Sequence, residues 1–169
     1  VSGAIAGVAY YFLSNNLNRQ AKEEAAIASR VVEASLSALK EKTMMIASLI
    51  ANNPSVSSAV KEGKVDFLQN FTSEIVKSQE GMIVTIVNKE GNVIARGHSD
   101  KTGDSVMNQI NVKRALSGEA TTGIEEGSVV KLSLRSGHPV KIDGEIVGSI
   151  ITGVNLSSDT TFVDKMKKE

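Results

Sequence analysis

The sequence predicts an α+β domain in which one long amino-terminal helix and several short helices pack on a five-stranded antiparallel sheet. Up to about residue 80 the apolar residues recur at helical spacing, whereas from Met82 onward short β-branched runs alternate with polar residues as strands do. Turns rich in Gly, Asn and Asp join these runs, which makes consecutive strands antiparallel neighbours. The sequence lacks the long helices that would have to cross between strands of a parallel sheet, so a parallel wound fold is excluded.

The composition of the 169-residue chain fits one domain with an appended helix and excludes several kinds of site. Its 19 Lys and Arg balance its 19 Asp and Glu, so no net charge draws it to nucleic acid. The absence of cysteine excludes disulfides, thiolate chemistry and Cys-based metal sites. We therefore predict no cofactor and no nucleic-acid partner.

The first 13 residues carry no charge and end in Tyr10, Tyr11 and Phe12, which polar residues follow at once. This order is typical of the outer end of a transmembrane helix. Because a spanning helix needs about 20 apolar residues, we expect residues 1–13 to be the end of a truncated transmembrane helix. The domain would then be anchored in the plasma or inner membrane and face the periplasm or extracellular space. A signal-peptide remnant or a buried helix start is the alternative.

Residues 15–53 contain neither Pro nor Gly and carry an apolar stripe at helical spacing, and Pro54 ends the helix. A helix of this length measures about 55–60 Å, which is more than a domain of this size can cover. The small residues Ala21, Ala25 and Ala28 in the first half of the stripe favour close approach of a second helix. We expect a homodimer through this helix; an ordinary amphipathic helix with a frayed start is the alternative.

The rest of the chain is predicted to form the remainder of a ligand-binding domain over residues 14–156. A short helix ends near Lys61, and a second follows from Val65 to Gln79. The predicted strands are Met82–Val87, Asn92–His98, Ala120–Glu125, Ser128–Val140 and Ile146–Leu156, which place the sheet over residues 82–156, with a helix at Val106–Leu116. Residues 157–169 are predicted to form a connector helix, Thr160–Lys168, towards the membrane or a second module.

The loop after the second predicted strand contains the residue types of a hydrolytic triad, but not the arrangement. His98, Ser99, Asp100, Asp104 and Ser105 crowd into one loop, without the sharp strand-to-helix turn that presents a nucleophilic serine. A metal site using His98 and Asp104 is an alternative that no His or Cys spacing supports. Phosphate-binding glycine motifs are absent from the sequence. We therefore predict that the domain is not an enzyme.

An anion-binding site is the better prediction. The period of two along a strand places Arg96 and His98 on one face of the second strand. The same period places Lys131, Ser133 and Arg135 on one face of the fourth strand. An arginine fork matches a carboxylate in geometry and charge, so a small carboxylate is the predicted ligand.

A second interpretation of the same residues assigns them no ligand. Arg96 would then pair with Asp104 or Glu125, while Lys131 and Arg135 would form the solvated side of an edge strand. The pattern alone does not decide between these interpretations.

Two stretches of the chain resemble bacterial extracytoplasmic Cache domains, which are PAS-like sensor domains. Gly91–His98 followed by Gly103–Ser105 resembles their second strand and loop, and Leu132–Arg135 with Gly144–Gly148 resembles their last hairpin. The resemblance covers roughly Leu17–Asp164, including the long first helix.

This resemblance implies a function in signal transduction. Such domains lie between the transmembrane helices of methyl-accepting chemotaxis proteins and sensor histidine kinases. In the related citrate and dicarboxylate sensor domains an Arg and a His near the second strand, with basic and hydroxyl residues on the fourth, bind the ligand carboxylate; these roles fall on Arg96, His98, Lys131 and Ser133. We expect the ligand-sensing domain of a chemoreceptor in chemotaxis, with a kinase input domain or a ligand-free dimerisation module as alternatives.

Overall fold

The computed structural model describes residues 2–79, 81–126, 129–130 and 132–156, without the side chains of residues 2–10. The elements are α1 Ser2–Ala51, α2 Pro54–Glu62, α3 Val65–Ser78, β1 Met82–Asn88, β2 Val93–Arg96, α4 Ile110–Leu116, β3 Thr121–Glu125, β4 Ser133–Ile142 and β5 Glu145–Asn155. The five strands form one sheet in the order β2-β1-β5-β4-β3, and every neighbouring pair is antiparallel. The predicted fold class is confirmed.

The contacts divide the chain into two units, and the second unit, which begins at Ser37, contains the whole sheet. The first unit includes α1 up to Leu36 and exposes apolar side chains, such as Leu17 and Ile27 at 56% and 58%. Among the described helices, none combines the length and the hydropathy needed to cross a membrane.

The sheet is covered on both faces, so all of β1 except its last residue is buried. One face packs against α1, α2 and α3 in a core that includes Ala47, Ile50, Val56, Val60, Leu68, Val84, Ile86 and Ile150. The opposite face packs against α4 and the segment before it in a smaller cluster of Val87, Val93, Val106, Val112 and Ile151. The candidate site lies on this second face.

Two of the predicted strand boundaries that differ in the structure, the end of β2 and the start of β4, affect the candidate site. β2 ends at Arg96 instead of His98, because Gly97 lies against the main-chain carbonyl of Thr72 in α3, closer than a residue with a Cβ could approach. Residues 97 and 98 form a turn there. β4 begins at Ser133 instead of Ser128. The predicted helix 160–168 lies outside the described residues.

A glycine on β4 allows α4 to pack close to the sheet. A Cβ at Gly137 would lie 2.5 Å from the main-chain oxygen of Asn111, in the first turn of α4. Since protein cores have almost no free space at such contacts, only glycine permits this spacing. Gly137 therefore fixes the distance between α4 and the strand that carries Arg135.

Replacing Gly137 with Ala is expected to lower the free energy of unfolding by about 1–3 kcal/mol, because the added methyl must displace α4. Gly123→Ala is the matched control, since Gly123 lies on the neighbouring strand β3 and has no atom within 4 Å of its added Cβ. Urea unfolding of both variants measures the difference. Equal stabilities would show that α4 adjusts freely.

Candidate functional site

A small cavity lies on the sheet face covered by α4, and three of the predicted ligand-binding residues line it. Its volume is about 10 Å³, roughly the space that one water molecule needs. The lining residues are Thr85, Arg96, His98, Val106, Gln109, Val129, Arg135 and Ile151.

The sheet register explains why residues distant in sequence meet here. Thr85 on β1 pairs with Arg96 on β2 and with Ile151 on β5. Ile151 in turn pairs with Gly137 on β4, two residues after Arg135. Because paired residues of neighbouring strands share a face, Arg96 and Arg135 point to the same side of the sheet.

Arg96 is 2% exposed and is held at both its main chain and its side chain. The side-chain amide of Gln69 in α3 accepts from the Arg96 main-chain N–H at 3.0 Å and donates to its carbonyl at 2.7 Å. The guanidinium donates to both carboxylate oxygens of Asp104, at 2.6 and 2.9 Å, and also to the Lys101 carbonyl. These hydrogen bonds from Arg96 hold the pKa of Asp104 below its usual value, although partial burial acts against them.

His98 lies in the turn after β2, half-buried between two arginines. Burial is the largest cause that lowers its pKa, and repulsion from Arg135 and Arg96 lowers it further, to about 4, against the effect of a hydrogen bond with the Val84 main chain. Its Nδ1 has no hydrogen-bond partner within the described part of the chain. At neutral pH His98 is therefore an uncharged imidazole. Its one N–H is used in the hydrogen bond with the Val84 main chain, so the unpartnered Nδ1 is a hydrogen-bond acceptor.

Arg135 is 5% exposed, and among the described residues its guanidinium donates to neutral acceptors. Nε donates to Ser133 Oγ at 2.6 Å, one terminal nitrogen donates to Gln109 Oε1 at 2.9 Å, and the other donates to the Val130 carbonyl at 3.1 Å. Burial lowers the pKa of this guanidinium, and the charge of Glu125 acts in the opposite direction. An arginine nevertheless stays protonated in proteins, so Arg135 is a buried cation.

Glu125 is the acidic group that interacts with Arg135, but its oxygens have other partners. They accept from the main-chain N–H groups of Ile110 and Asn111 at 3.0 and 2.8 Å. These N–H groups belong to the first turn of α4 and therefore have no acceptor within the helix. The helix dipole also favours a carboxylate at this end. Glu125 therefore joins β3 to α4 and forms no ion pair with Arg135 among the described residues.

The predicted site residues are thus only partly brought together. Arg96, His98 and Arg135 line the cavity, whereas Ser133 contacts Arg135 without lining it. Lys131 lies outside the described residues. Arg96 pairs with Asp104, as the second interpretation of the sequence expected, but the solvated position that it assigned to Arg135 is wrong.

Sequence reasoning missed the two glutamines that hold the arginines, Gln69 and Gln109. Neither lies in a motif. Gln109 fell inside the predicted helix Val106–Leu116, where nothing distinguished it, and contacts over 26 or 27 residues are not visible in local spacing.

A larger open cleft of about 780 Å³ lies where the turn after α2 meets the β1–β2 and β4–β5 turns. It is lined by charges of both signs, including Lys61, Glu62, Lys89, Glu90 and Glu145, and these side chains reach solvent. It contains neither Arg96 nor Arg135. Within the residues that the structure describes, no group of His, Asp or Glu is arranged to hold a metal ion.

The sheet order and the helices on both of its faces match the fold of Cache sensor domains. Residues 18–169 match the dCache_3 family, the double sensory domain of two-component sensor kinases, and the chain belongs to this family. The resemblance to Cache sensor domains is thereby confirmed. No curated protein sequence matches the chain.

Several solved structures share the fold. The sensor domain of the V. cholerae histidine kinase DctB superposes with a TM-score of 0.74 at 16% identity, covering 83% of this chain and 58% of that one. The E. coli DcuS sensor domain gives 0.64 at 17% identity, covering 78% and 98%. The ligand-binding domain of the Campylobacter jejuni chemoreceptor Tlp3, in complex with L-valine, gives 0.60 at 16% identity, covering 82% and 59%. At these identities the likeness is one of fold, and the chain spans 58% of the DctB structure.

Proposed function

We propose that this chain is the extracytoplasmic, non-catalytic input domain of a membrane receptor and that it binds a small carboxylate at the cavity of Arg96, His98 and Arg135. The observation that carries the proposal is Arg135, a buried cation hydrogen-bonded to neutral acceptors. A buried charge without a hydrogen-bonded partner of opposite sign is costly, and a carboxylate would remove that cost.

The neighbouring groups fit this ligand. The charge of Arg96 is already balanced by Asp104. Arg96 therefore contributes positive electrostatic potential and part of the cavity wall, more than a guanidinium that is available for a ligand. His98 adds an uncharged ring whose Nδ1 is a hydrogen-bond acceptor without a partner among the described atoms, which suits a hydroxyl or ammonium group of the ligand rather than its carboxylate. Val106, Val129 and Ile151 add apolar walls, which favour an organic acid over an inorganic anion.

Replacing Arg135 with Gln is expected to abolish carboxylate binding, because the change removes the fork and the charge together. Thermal shift and calorimetry with acetate, succinate, citrate and L-valine test this. A ligand at 100 times its dissociation constant stabilises the wild type by about 2.7 kcal/mol. Arg114→Gln is the matched control, since Arg114 forms an exposed ion pair with Glu119 on the surface.

Two results would contradict the proposal. If none of a broad panel of acids stabilises the wild type, the chain is better explained as a ligand-free dimerisation module. If Arg135→Gln binds an acid as well as Arg114→Gln does, the carboxylate binds elsewhere.

The binding strand is linked to α1 through its other face. Ser136, next to Arg135, forms a 2.7 Å hydrogen bond with the hydroxyl of Thr43 in α1, and Thr152 on β5 donates to the Thr43 carbonyl at 2.6 Å. All three side chains are buried. A ligand that displaces β4 would therefore displace α1, and its different affinities for the two arrangements would supply the free energy.

We also propose that the domain forms a homodimer through α1 next to the membrane. Exposed apolar side chains of α1, Leu17 and Ile27 among them, support this. Sedimentation should show a dimer for the whole chain and a monomer after removal of the residues before Val32. Identical sedimentation behaviour of both forms, after allowance for mass, would contradict the dimer.

Two receptor types remain candidates for the parent protein. The sequence motifs led us to propose a chemoreceptor, whereas the family is described as a domain of two-component sensor kinases. The full-length protein distinguishes them: a kinase phosphorylates its own histidine with ATP, and a chemoreceptor instead controls a separate kinase in response to ligand.

A further inference from the structure

The cavity is too small for the proposed ligand, and an organic acid cannot reach Arg135 unless a side chain moves. A volume of about 10 Å³ admits one water molecule and no organic acid. The side chains that surround the guanidinium therefore determine how the site opens.

Gln109 is the side chain best placed to move. Ser133 and Val130 lie two and five residues from Arg135 in the chain, so their hydrogen bonds are local to β4 and the segment just before it. Gln109 lies 26 residues away and is 5% exposed. Among the described residues, Gln109 is the one whose hydrogen bond joins Arg135 to a different part of the fold.

The chemistry of this contact resembles that of the proposed ligand. An amide oxygen accepts from a guanidinium N–H as a carboxylate oxygen does, but it carries no charge and offers one oxygen, so it lacks the ion-pair attraction and the second parallel hydrogen bond that a carboxylate brings to a guanidinium. A carboxylate can therefore replace it. We infer, on the basis of the proposed function, that the Gln109 side chain is an internal stand-in for the ligand carboxylate. It binds Arg135 while no ligand is present and leaves Arg135 when a ligand binds.

The position of Gln109 gives this exchange a consequence. It is the residue before α4, where its main-chain carbonyl accepts from Lys113 N–H at 3.1 Å and its N–H donates to the Val106 carbonyl at 3.0 Å. Val106 also lines the cavity. Release of the Gln109 side chain thus removes the hydrogen bond that joins the start of α4 to Arg135 on β4. The hydrogen bonds between α4 and Glu125 on β3 remain.

Three substitutions at Gln109 test the stand-in role in the full 169-residue chain, with acetate, succinate, citrate and L-valine as calorimetric probes. Gln109→Glu places a permanent carboxylate beside Arg135 and is expected to weaken probe binding at least tenfold. Gln109→Ala removes the competitor and is expected to strengthen binding about five- to tenfold, the value of one net hydrogen bond. Gln109→Asn, whose side chain is one methylene shorter, should also strengthen binding and replaces the Ala variant if that variant does not fold.

Gln20→Glu and Gln20→Ala on the exposed surface of α1 are the controls and should bind as the wild type does. Amide hydrogen exchange supplies a second readout: residues 110–113 should exchange faster in Gln109→Ala than in the wild type without any probe. Unchanged amide exchange at residues 110–113 would overturn the proposal that the Gln109 side chain stabilises the start of α4.

The remaining outcomes separate this inference from the proposed function. If the wild type binds a probe and both Gln109→Ala and Gln109→Asn bind it more weakly, Gln109 contacts the ligand directly and the stand-in role is overturned, while the function stands. If Gln109→Glu binds as tightly as the wild type, the stand-in role is likewise overturned. If the wild type binds no carboxylate, the proposed function fails and this inference fails with it.

Discussion

Replacing Asp104 with Asn is expected to lower the free energy of unfolding by about 3 kcal/mol, the usual cost of breaking a buried ion pair from one side. The Arg96 side chain is 3% exposed and donates to both Asp104 oxygens. Without that carboxylate the guanidinium keeps its charge in a place where water cannot solvate it. Urea unfolding at pH 7 measures the loss.

Asp100→Asn is the matched control, because Asp100 is exposed in the same loop and forms no ion pair within the described part of the chain. Its stability should stay within about 0.5 kcal/mol of the wild type. The lowered pKa of Asp104 also fixes the pH window: the contribution is present above the usual Asp pKa of about 4 and is lost as the pH falls through the lower folded value. An Asp104→Asn variant as stable as the control at pH 7 would mean that the pair contributes nothing.

The second large expected effect is a loss of stability between pH 6.5 and pH 4 that depends on His98. Its pKa falls from 6.5 to about 4 on folding, so in this window the unfolded chain binds a proton that the folded chain does not. Folding is therefore penalised progressively as the pH falls. One pKa unit corresponds to about 1.4 kcal/mol, so the cost reaches about 2–3 kcal/mol at the acid end.

His98→Gln should lack this part of the pH dependence. Urea unfolding of the wild type and the variant at intervals from pH 7.5 to pH 4 measures the difference between their curves, which should grow below pH 6.5. The window lies above the one in which Asp104 titrates, so the two effects are separable. Parallel curves throughout would show that His98 protonates as readily in the folded state as in the unfolded one.

The fold class was predictable because local spacing encodes it. The change from helical to strand period at Met82 and the Gly-rich turns determine an antiparallel sheet. The end of β2 was not predictable, since it depends on the contact of Gly97 with α3, and no pattern within β2 records that contact.

The site was predictable in residue type but not in arrangement. Strand period placed Ser133 and Arg135 on one face of the fourth strand, but it is the pairing of the strands that puts Arg135 on the same sheet face as Arg96. Whether Arg135 would be solvated depended on α4 covering that face, which in turn depends on Gly137 and on the carboxylate of Glu125. These are contacts between distant parts of the chain, and the period of a single strand carries no information about them.

The main-chain hydrogen bonds at β2 also bear on aggregation. β2 is an edge strand, yet the Gln69 side chain binds both the N–H and the carbonyl of Arg96. The Val93 N–H donates to the Asp104 carbonyl, and the Val93 carbonyl accepts from the Gly103 N–H. A strand from another molecule therefore finds no continuous row of free groups at this edge. Association by strand addition at the opposite edge, β3, would stop at a pair of molecules, and growth into a fibril would be blocked.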